Sequence, residues 1–538
     1  MTAPLANLFR AGLFCHRATI EILSDDTLLN IFLHFLDVSS QSWPTLVHVS
    51  RRWRQIIFDS PLGLDLRLHC TYGTPVLKTL DCWPHFPLVV NYGGSPGLNP
   101  PPSEDEDNIM AALKQFDRVS SISLTITSSL LEQLSTIPGP FSELEKLMLL
   151  SRDSLQLTLP SAFRWGPRLR SLHSTRIAFP SFPQLLSLSQ DIVDLQLHEI
   201  PRVGYFSPEA FANALSGMTQ LGKLSLHFLS LPPRRHRDYL GLPPPPGQRV
   251  VFPALTCLKY RGTTKYLDSL VARIDAPGLV DVDITFFSQP TMDASQLGRF
   301  IDRIEILGPN SRANIRISEH AISICFTHPG APTRLELRIS CEQLDWQLSS
   351  MAQICDQFSP FLVRVEDLDI ETTKPSTGQE DDMDGEQWPE LIRSFDGAKD
   401  FRVAGELATV ILRALCQADG ERTAILPALR DLCVPELRSA YGRLWEAASS
   451  FIASRWTSGT SVHVSPPSTV FPVVCRNEEM SGIRRQYFCG LCSSSFAERQ
   501  GLSWHNSNNH TPEVAEPESR TTDGEGAAER TENSDLLI

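Results

Sequence analysis

A chain of 538 residues, 41% of them hydrophobic, is long enough to bury more than one core. Its net charge of −14 gives no general attraction to nucleic acid or anionic membrane, and it contains no apolar run of the roughly 18 residues that spanning a bilayer requires. Twelve cysteines are scattered mostly singly through apolar runs, the pattern of reduced thiols in the cytoplasm or nucleus, and only one pair has metal-ligand spacing. Residues 1–21 carry Arg10 and Arg17 and no acid before Glu21, a faint likeness to a transit peptide. Arg10 interrupts any apolar signal core, and the segment is expected to be a flexible N-terminus.

Residues 22–60 predict two or three short amphipathic helices. Ser24 can cap the first, with Asp25 and Asp26 in its electropositive first turn. Leu28, Ile31, Phe32, Phe35 and Leu36 then recur at helical spacing on one face. A second helix is expected from Ser42, with Pro44 near its start and Leu46, Val49, Trp53 and Ile57 along its apolar stripe.

The strings LSDDTLLNIFLHFL and WPTLVHVSRRWRQIIFDSP in this region resemble the F-box, whose pattern runs Leu-Pro-x-Glu-Ile-Leu-x-x-Ile-Phe and then Val-Cys-x-x-Trp. Leu23, Leu28, Ile31, Phe32, Val49 and Trp53 stand at matching positions. Ser24, Asp26, Thr27 and Ser50 replace the usual proline, glutamate, isoleucine and cysteine. TPVLKTLDCWPHFPLVV further on is similar to the segment that follows the F-box in large fungal families of these proteins, so the resemblance covers about residues 22–90. It implies docking on the Skp adaptor, which links an F-box protein to the cullin scaffold, through those six residues. Such docking is helix-in-groove recognition with apolar anchors.

Residues 61–118 read as a connecting segment with an acidic and proline-rich loop. From 119 to 440 a short pattern, apolar-x-x-apolar-x-apolar, repeats. It appears as VSSISL at 119, LEKLML at 144, LRSLHS at 169, IVDLQL at 192, LGKLSL at 221, LTCLKY at 255, LVDVDI at 279 and IDRIEI at 301, and again as VEDLDI at 365 and LRDLCV at 429. The first eight are spaced by 25, 25, 23, 29, 34, 24 and 22 residues. The step of 34 holds the proline-rich stretch 231–249, expected to be extruded. The period is that of leucine-rich repeats, in which stacked neighbours share one core. The fold class expected is therefore α/β: a helical F-box, an irregular leucine-rich-repeat solenoid and a small ββα finger.

Three residues past the first seven hexads stand Thr127, Arg152, Ile177, Ile200, Leu229, Thr263 and Phe287, most of which cannot bond turn backbone as an asparagine ladder does. Between the inward leucines, one outward column is Met148, His173, Gln196, Ser225, Lys259 and Asp283; the next is Leu150, Thr175, His198, His227, Arg261 and Thr285. His173, Gln196, His198, Ser225, His227, Lys259, Arg261 and Asp283 are the candidates for holding a protein client. The three histidines lack the spacing of a metal site. Periodicity is weak over residues 310–360 and 440–480, and 441–483 is left as a linker.

Residues 484–510 contain YFCGLCSSSFAERQGLSWHNSNNH. Cys489, Cys492, His505 and His510 supply two thiolates and two imidazoles at the spacing of a structural zinc site, and the full pattern resembles a Cys-Cys-His-His zinc finger. Without metal so small a unit would be unfolded. Its base-reading places hold Glu498, Gly501 and Trp504, which suit DNA poorly, so protein docking is expected and not nucleic-acid recognition. Residues 511–538 carry eight carboxylates against two arginines and read as a disordered acidic tail.

No catalytic constellation is found. GGSPG at 93–97 mimics a nucleophile elbow, but Pro96 has no N–H to offer an oxyanion. EDDMDGEQWPEL at 380–391 ends in Leu391, which cannot chelate calcium, and it and SEDED at 103–107 are expected to be solvated acidic loops. The sequence thus predicts a non-enzymatic substrate-recognition subunit of an SCF-type ubiquitin ligase. Two rival expectations are a nuclear zinc-finger regulator bound to nucleic acid or chromatin proteins, and a repeat scaffold with no ligase partner.

Overall fold

The computed structural model describes residues 20–464, with breaks at 39–41, 62, 84, 94–102, 152–156, 161–162, 180–181, 231–248, 305–307, 309–310, 331, 342, 373–386, 419–424, 439–441 and 458–461, together with residues 487–488 and 495–496. Two compact units divide the chain at Pro467/Ser468. The first is mixed α/β with one large, mostly parallel sheet.

Among the described residues sixteen strands form that sheet, from Leu68–Thr71 at one edge to His463–Val464 at the other. Over most of its width, neighbours in the sheet are neighbours in the chain and run parallel, with a helix in many of the connections. The strands alternate: in Asp281–Phe287 the sequence DVDITFF buries Val282, Ile284 and Phe286 and leaves the residues between them half-exposed. This period of two turns one face of every strand inward. The inward residues Ile122, Leu147, Leu172, Leu195, Leu224, Leu258, Val282 and Leu335 are directly opposite one another across eight successive strands, and all are buried. Helices form the second layer, most of them packed on a neighbouring helix.

Caps start these helices where the strands end. Thr127 and Thr263, two of the seven positions past the hexads, accept hydrogen bonds from Leu130 N and Tyr266 N at the starts of Ser128–Leu134 and Thr264–Val271. Asp268 reaches out of the second of these and accepts from Gln296 N (2.7 Å) and Leu297 N (3.0 Å), capping the following helix, Ser295–Arg303. Burial pushes its carboxyl up to about 6.

Nine of the ten hexads lie on strands. The exception is IDRIEI: residues 301–303 close the helix Ser295–Arg303, which buries Leu297, Phe300 and Ile301. Apolar residues three apart suit a helix as well as a strand end, and here the helical face prevailed. The strand beside Asp281–Phe287 is instead Arg334–Ser340. It belongs to an antiparallel meander, Ser311–Ser318, Ala321–Thr327 and Arg334–Ser340, inserted in reverse order into the parallel sheet. The 19-residue helix Leu344–Leu362 then leads to Val365–Thr372, beside Ser311–Ser318. Its buried Gln347 donates to Ser318 O (3.2 Å), while Gln357 accepts from Ala294 N (2.6 Å).

The sheet also extends beyond residues 119–440. Leu68–Thr71 and Leu88–Tyr92 precede it, and the helix Arg443–Thr457 and His463–Val464 follow within the expected linker. SEDED is not a solvated loop. It opens the helix Ser103–Leu113, and its buried Asp105 accepts from Gly73 N at 3.2 Å. The second acidic stretch continues into the helix Gln387–Arg393, which buries Trp388 and Leu391. Most of GGSPG and nearly all of the proline-rich stretch fall outside the described residues. The eight described cysteines are free thiols, and burial pushes Cys70 and Cys257 up to about 11. Among the described residues no helix is long and apolar enough to cross a membrane.

The inward face is not wholly apolar: Ser151 and Ser174 are both buried on it. Ser174 lies between Leu149 and Leu197, its hydroxyl buried without a hydrogen-bond partner, beside a small cavity lined by Ile177, Phe179, Leu197 and Phe206. Removing an unsatisfied buried hydroxyl relieves its desolvation cost, so Ser174→Ala is expected to raise stability by about 1 kcal/mol. Urea denaturation of the purified variant checks this.

Candidate interaction surfaces

The helical module consists of α1 (Asp25–Val38), α2 (Trp43–Val47) and α3 (Arg51–Asp59). The expected second helix is thus two, parted at His48–Ser50, where Ser50 Oγ accepts from Trp53 N and caps α3. Leu28, Phe32 and Leu36, at i, i+4 and i+8, are buried, and Phe32 packs on Trp53 with ring centres 4.7 Å apart. The six adaptor-binding candidates divide accordingly. Leu28 and Phe32 belong to the core, Leu23 and Trp53 are half-buried, and Ile31 and Val49 are open, at 41% and 57% exposure. Phe35, one turn beyond Ile31, is 43% exposed. The helical spacing put Ile31 and Phe35 on the same face as Leu28; the buried face is centred on Phe32, which leaves both at its edge.

Trp43 fastens this module to the sheet. It is fully buried, its Nε1 donates to Arg67 O at 2.8 Å, and it meets Trp83 and Phe86 edge-on at 4.9 and 5.5 Å. Arg67 in turn reaches Asp65 (3.0 Å) and Glu145 (3.6 Å) just before two sheet strands.

On the open sheet face the strand register aligns Met148, His173, Gln196, Ser225, Lys259 and Asp283 as direct neighbours, and Glu336 continues the column. The second column runs Leu150, Thr175 and His198, then His227, Arg261 and Thr285. Between His198 and His227 the register shifts, and the two imidazoles stack with centres 4.4 Å apart. Ser225 Oγ, fully buried beneath them, lies 2.8 Å from His198 Nε2 and 3.4 Å from His227 Nε2. His173 Nε2 meets Asp194 Oδ2 at 2.9 Å, and Gln196 Nε2 donates to the same carboxylate at 3.0 Å. Arg176 and Glu199 flank this cluster, ion-paired to each other and both at positive φ (62° and 50°), a backbone state that side chains disfavour.

All eight client-binding candidates therefore lie on one face. The sequence column already sets His198 next to His227; what it could not give is the stacking of the two rings and the buried Ser225 hydroxyl between their Nε2 atoms. Cys489, Cys492, His505 and His510 lie outside the described residues. Two short strands beside them, Tyr487–Phe488 and Ser495–Phe496, pair antiparallel. No protein-family model matches the chain, and no curated protein matches it.

Burial, reinforced by His173, Lys223 and Lys259, pushes His198 down to about 4; burial with His198, Arg261 and Lys259 pushes His227 down to about 3. An unfolded histidine titrates near 6.5, so below that value the unfolded chain takes up protons that the folded face refuses. The stability these two neutral rings confer is complete above about pH 6.5 and declines as pH falls toward 4. Denaturation midpoints between pH 7.5 and 5 are expected to fall more in the native chain than in His198→Gln/His227→Gln, with the gap closing as the pH is lowered.

Proposed function

We propose that this protein is the substrate-receptor subunit of a cullin-type ubiquitin ligase, in which the helical module docks on a Skp adaptor. The observation that carries the reading is the match between the F-box string and a three-helix module that buries Leu28 and Phe32 yet keeps Ile31, Phe35 and Val49 open. Apolar side chains left outside a well-packed core suit helix-in-groove docking.

The body behind the module is proposed to be a leucine-rich-repeat-like solenoid. Parallel strands succeeding one another in chain order, joined mostly through helices, support this assignment. Its open face, around His173, Gln196, His198, Ser225, His227, Lys259, Arg261 and Asp283, is where a protein client is held. The client stands beside a ubiquitin-charged partner on the cullin scaffold, and reaction is driven by raised effective concentration without a catalytic side chain from this chain. The C-terminal Cys-Cys-His-His set binds one structural zinc; the paired strands at Tyr487 and Ser495 fit the ββ half of such a finger.

Two measurements test these assignments. Co-expression of the full chain with the Skp adaptor is expected to yield a stoichiometric complex that Ile31→Asp weakens roughly thirtyfold or more, as loss of a central anchor does. A folded chain that ignores the adaptor sinks the ligase assignment. Metal analysis is expected to find equimolar zinc in the native chain and none in Cys492→Ser.

A further inference from the structure

Arg52 lies on α3 but acts at the start of α1, 27 to 29 residues earlier in the chain. Its guanidinium donates through Nε (2.8 Å) and Nη2 (2.6 Å) to Asp25 Oδ1, and through Nη2 to the Leu23 carbonyl at 2.6 Å. Leu23 closes the short turn Ile20–Ile22 by donating its N–H to Ile20 O (3.3 Å), and Ile20 and Ile22 are both exposed; Asp25 opens α1, which carries the exposed Ile31 and Phe35. One planar fork therefore ties two exposed apolar pieces together.

The half-buried Leu23 side chain packs on the core at this junction, but the cap of α1 is loose. Ser24, where the F-box pattern has proline, leaves φ unfixed, and it caps α1 through a long contact, Thr27 N to Ser24 Oγ at 3.3 Å. The Ser24 hydroxyl lies closer to Thr27 Oγ1, at 2.8 Å. Both ends of the Arg52–Asp25 pair are solvated, so its contribution to overall folding is small. Its geometry, a bidentate-capable fork on a carboxylate and a backbone carbonyl together, instead restricts where the Ile20–Leu23 segment can lie relative to α1.

We propose that Arg52 is a positioning residue that sets the Ile20–Ile22 turn and the Ile31–Phe35 ridge in one docking geometry for the adaptor. This rests on the adaptor reading above. A guanidinium on a carbonyl and a carboxylate does here what a rigid proline would do through its ring, and it adds a dependence on salt that proline lacks.

The test uses the full chain with the Skp adaptor, comparing affinity and dissociation rate at low and high salt. Arg52→Met keeps the aliphatic stem and is expected to bind roughly fivefold more weakly, as expected for a lost solvated ion pair, through faster dissociation and with an unchanged melting point. Its deficit should shrink at high salt, where the native clamp is screened. Arg52→Lys should fall between, and the exchanged pair Asp25→Arg/Arg52→Asp should recover part of the loss. Asp25→Asn, which keeps Asp26 in the first turn, tests the same clamp should Arg52→Met fold poorly. Native-like binding by both Arg52→Met and Asp25→Asn, with Ile31→Asp still defective, overturns the positioning role and leaves the ligase reading standing. If the folded native chain does not bind the adaptor at all, both fall together.

Discussion

No strand of this sheet can bury its own inner face. Most present two or three apolar side chains inward, and each such residue stabilises the fold by about 1.5–3 kcal/mol only when fully covered. Cover comes from the strand before, the strand after and the helix layer behind. The row from Ile122 to Leu335 meets that requirement by keeping one inward residue opposite the next through eight strands. Everything on the opposite face inherits its spacing from that row, because the side-chain period is two and a slip of one residue would turn the histidines inward and the leucines out.

This inheritance explains which parts were legible in the sequence. The column from Met148 to Asp283 could be written down from the hexads alone, and the register places those residues side by side. The hexad template fails where the chain stops repeating. Ser311–Ser318 and Ala321–Thr327 alternate with period two around a turn at Glu319 and His320, a hairpin signal, but one that the search for apolar-x-x-apolar-x-apolar passes over. Ile301 and Ile304 misled for the opposite reason, since their spacing fits a helix as well as a strand. Asp105, in a run of acids that reads as solvated, is buried because the Gly73 N–H needs an acceptor that only the fold reveals. In the helical module the spacing of Leu28, Phe32 and Leu36 located the core, but it could not say that Ile31 and Phe35 stay open.

Trp43 gives the module and the sheet a shared boundary. Its indole N–H is satisfied by the Arg67 carbonyl, and its ring is enclosed by Trp83 and Phe86, so the helices cannot swing without exposing a large aromatic surface and stranding a donor. The exposed Ile31 and Phe35 are therefore carried on a body fixed to the first strands, in contrast to a module on a flexible tether. On the proposed reading, this stiffness sets where a held client lies relative to whatever engages the helices.

The two halves of the open face differ in what a partner would have to displace. From the meander onward its charges are largely paired with each other: Arg312 with Asp367 (3.0 Å), Arg338 with Glu336 (2.9 Å), Lys399 with Glu366 (2.7 Å), and Arg334 with Glu336. A ligand seated there must break these pairs or match them, and either course carries a desolvation cost. Between His173 and Asp283 the face sets the two neutral rings of His198 and His227, with amide and hydroxyl groups, among Asp194, Lys259, Arg261 and Asp283, and holds its backbone at positive φ at Arg176 and Glu199. Neutral rings lose less hydration on contact than ions do, and stacked ones lose little further entropy. On the proposed reading, the client therefore belongs on the histidine half, and the ion-paired half stiffens the sheet beside it.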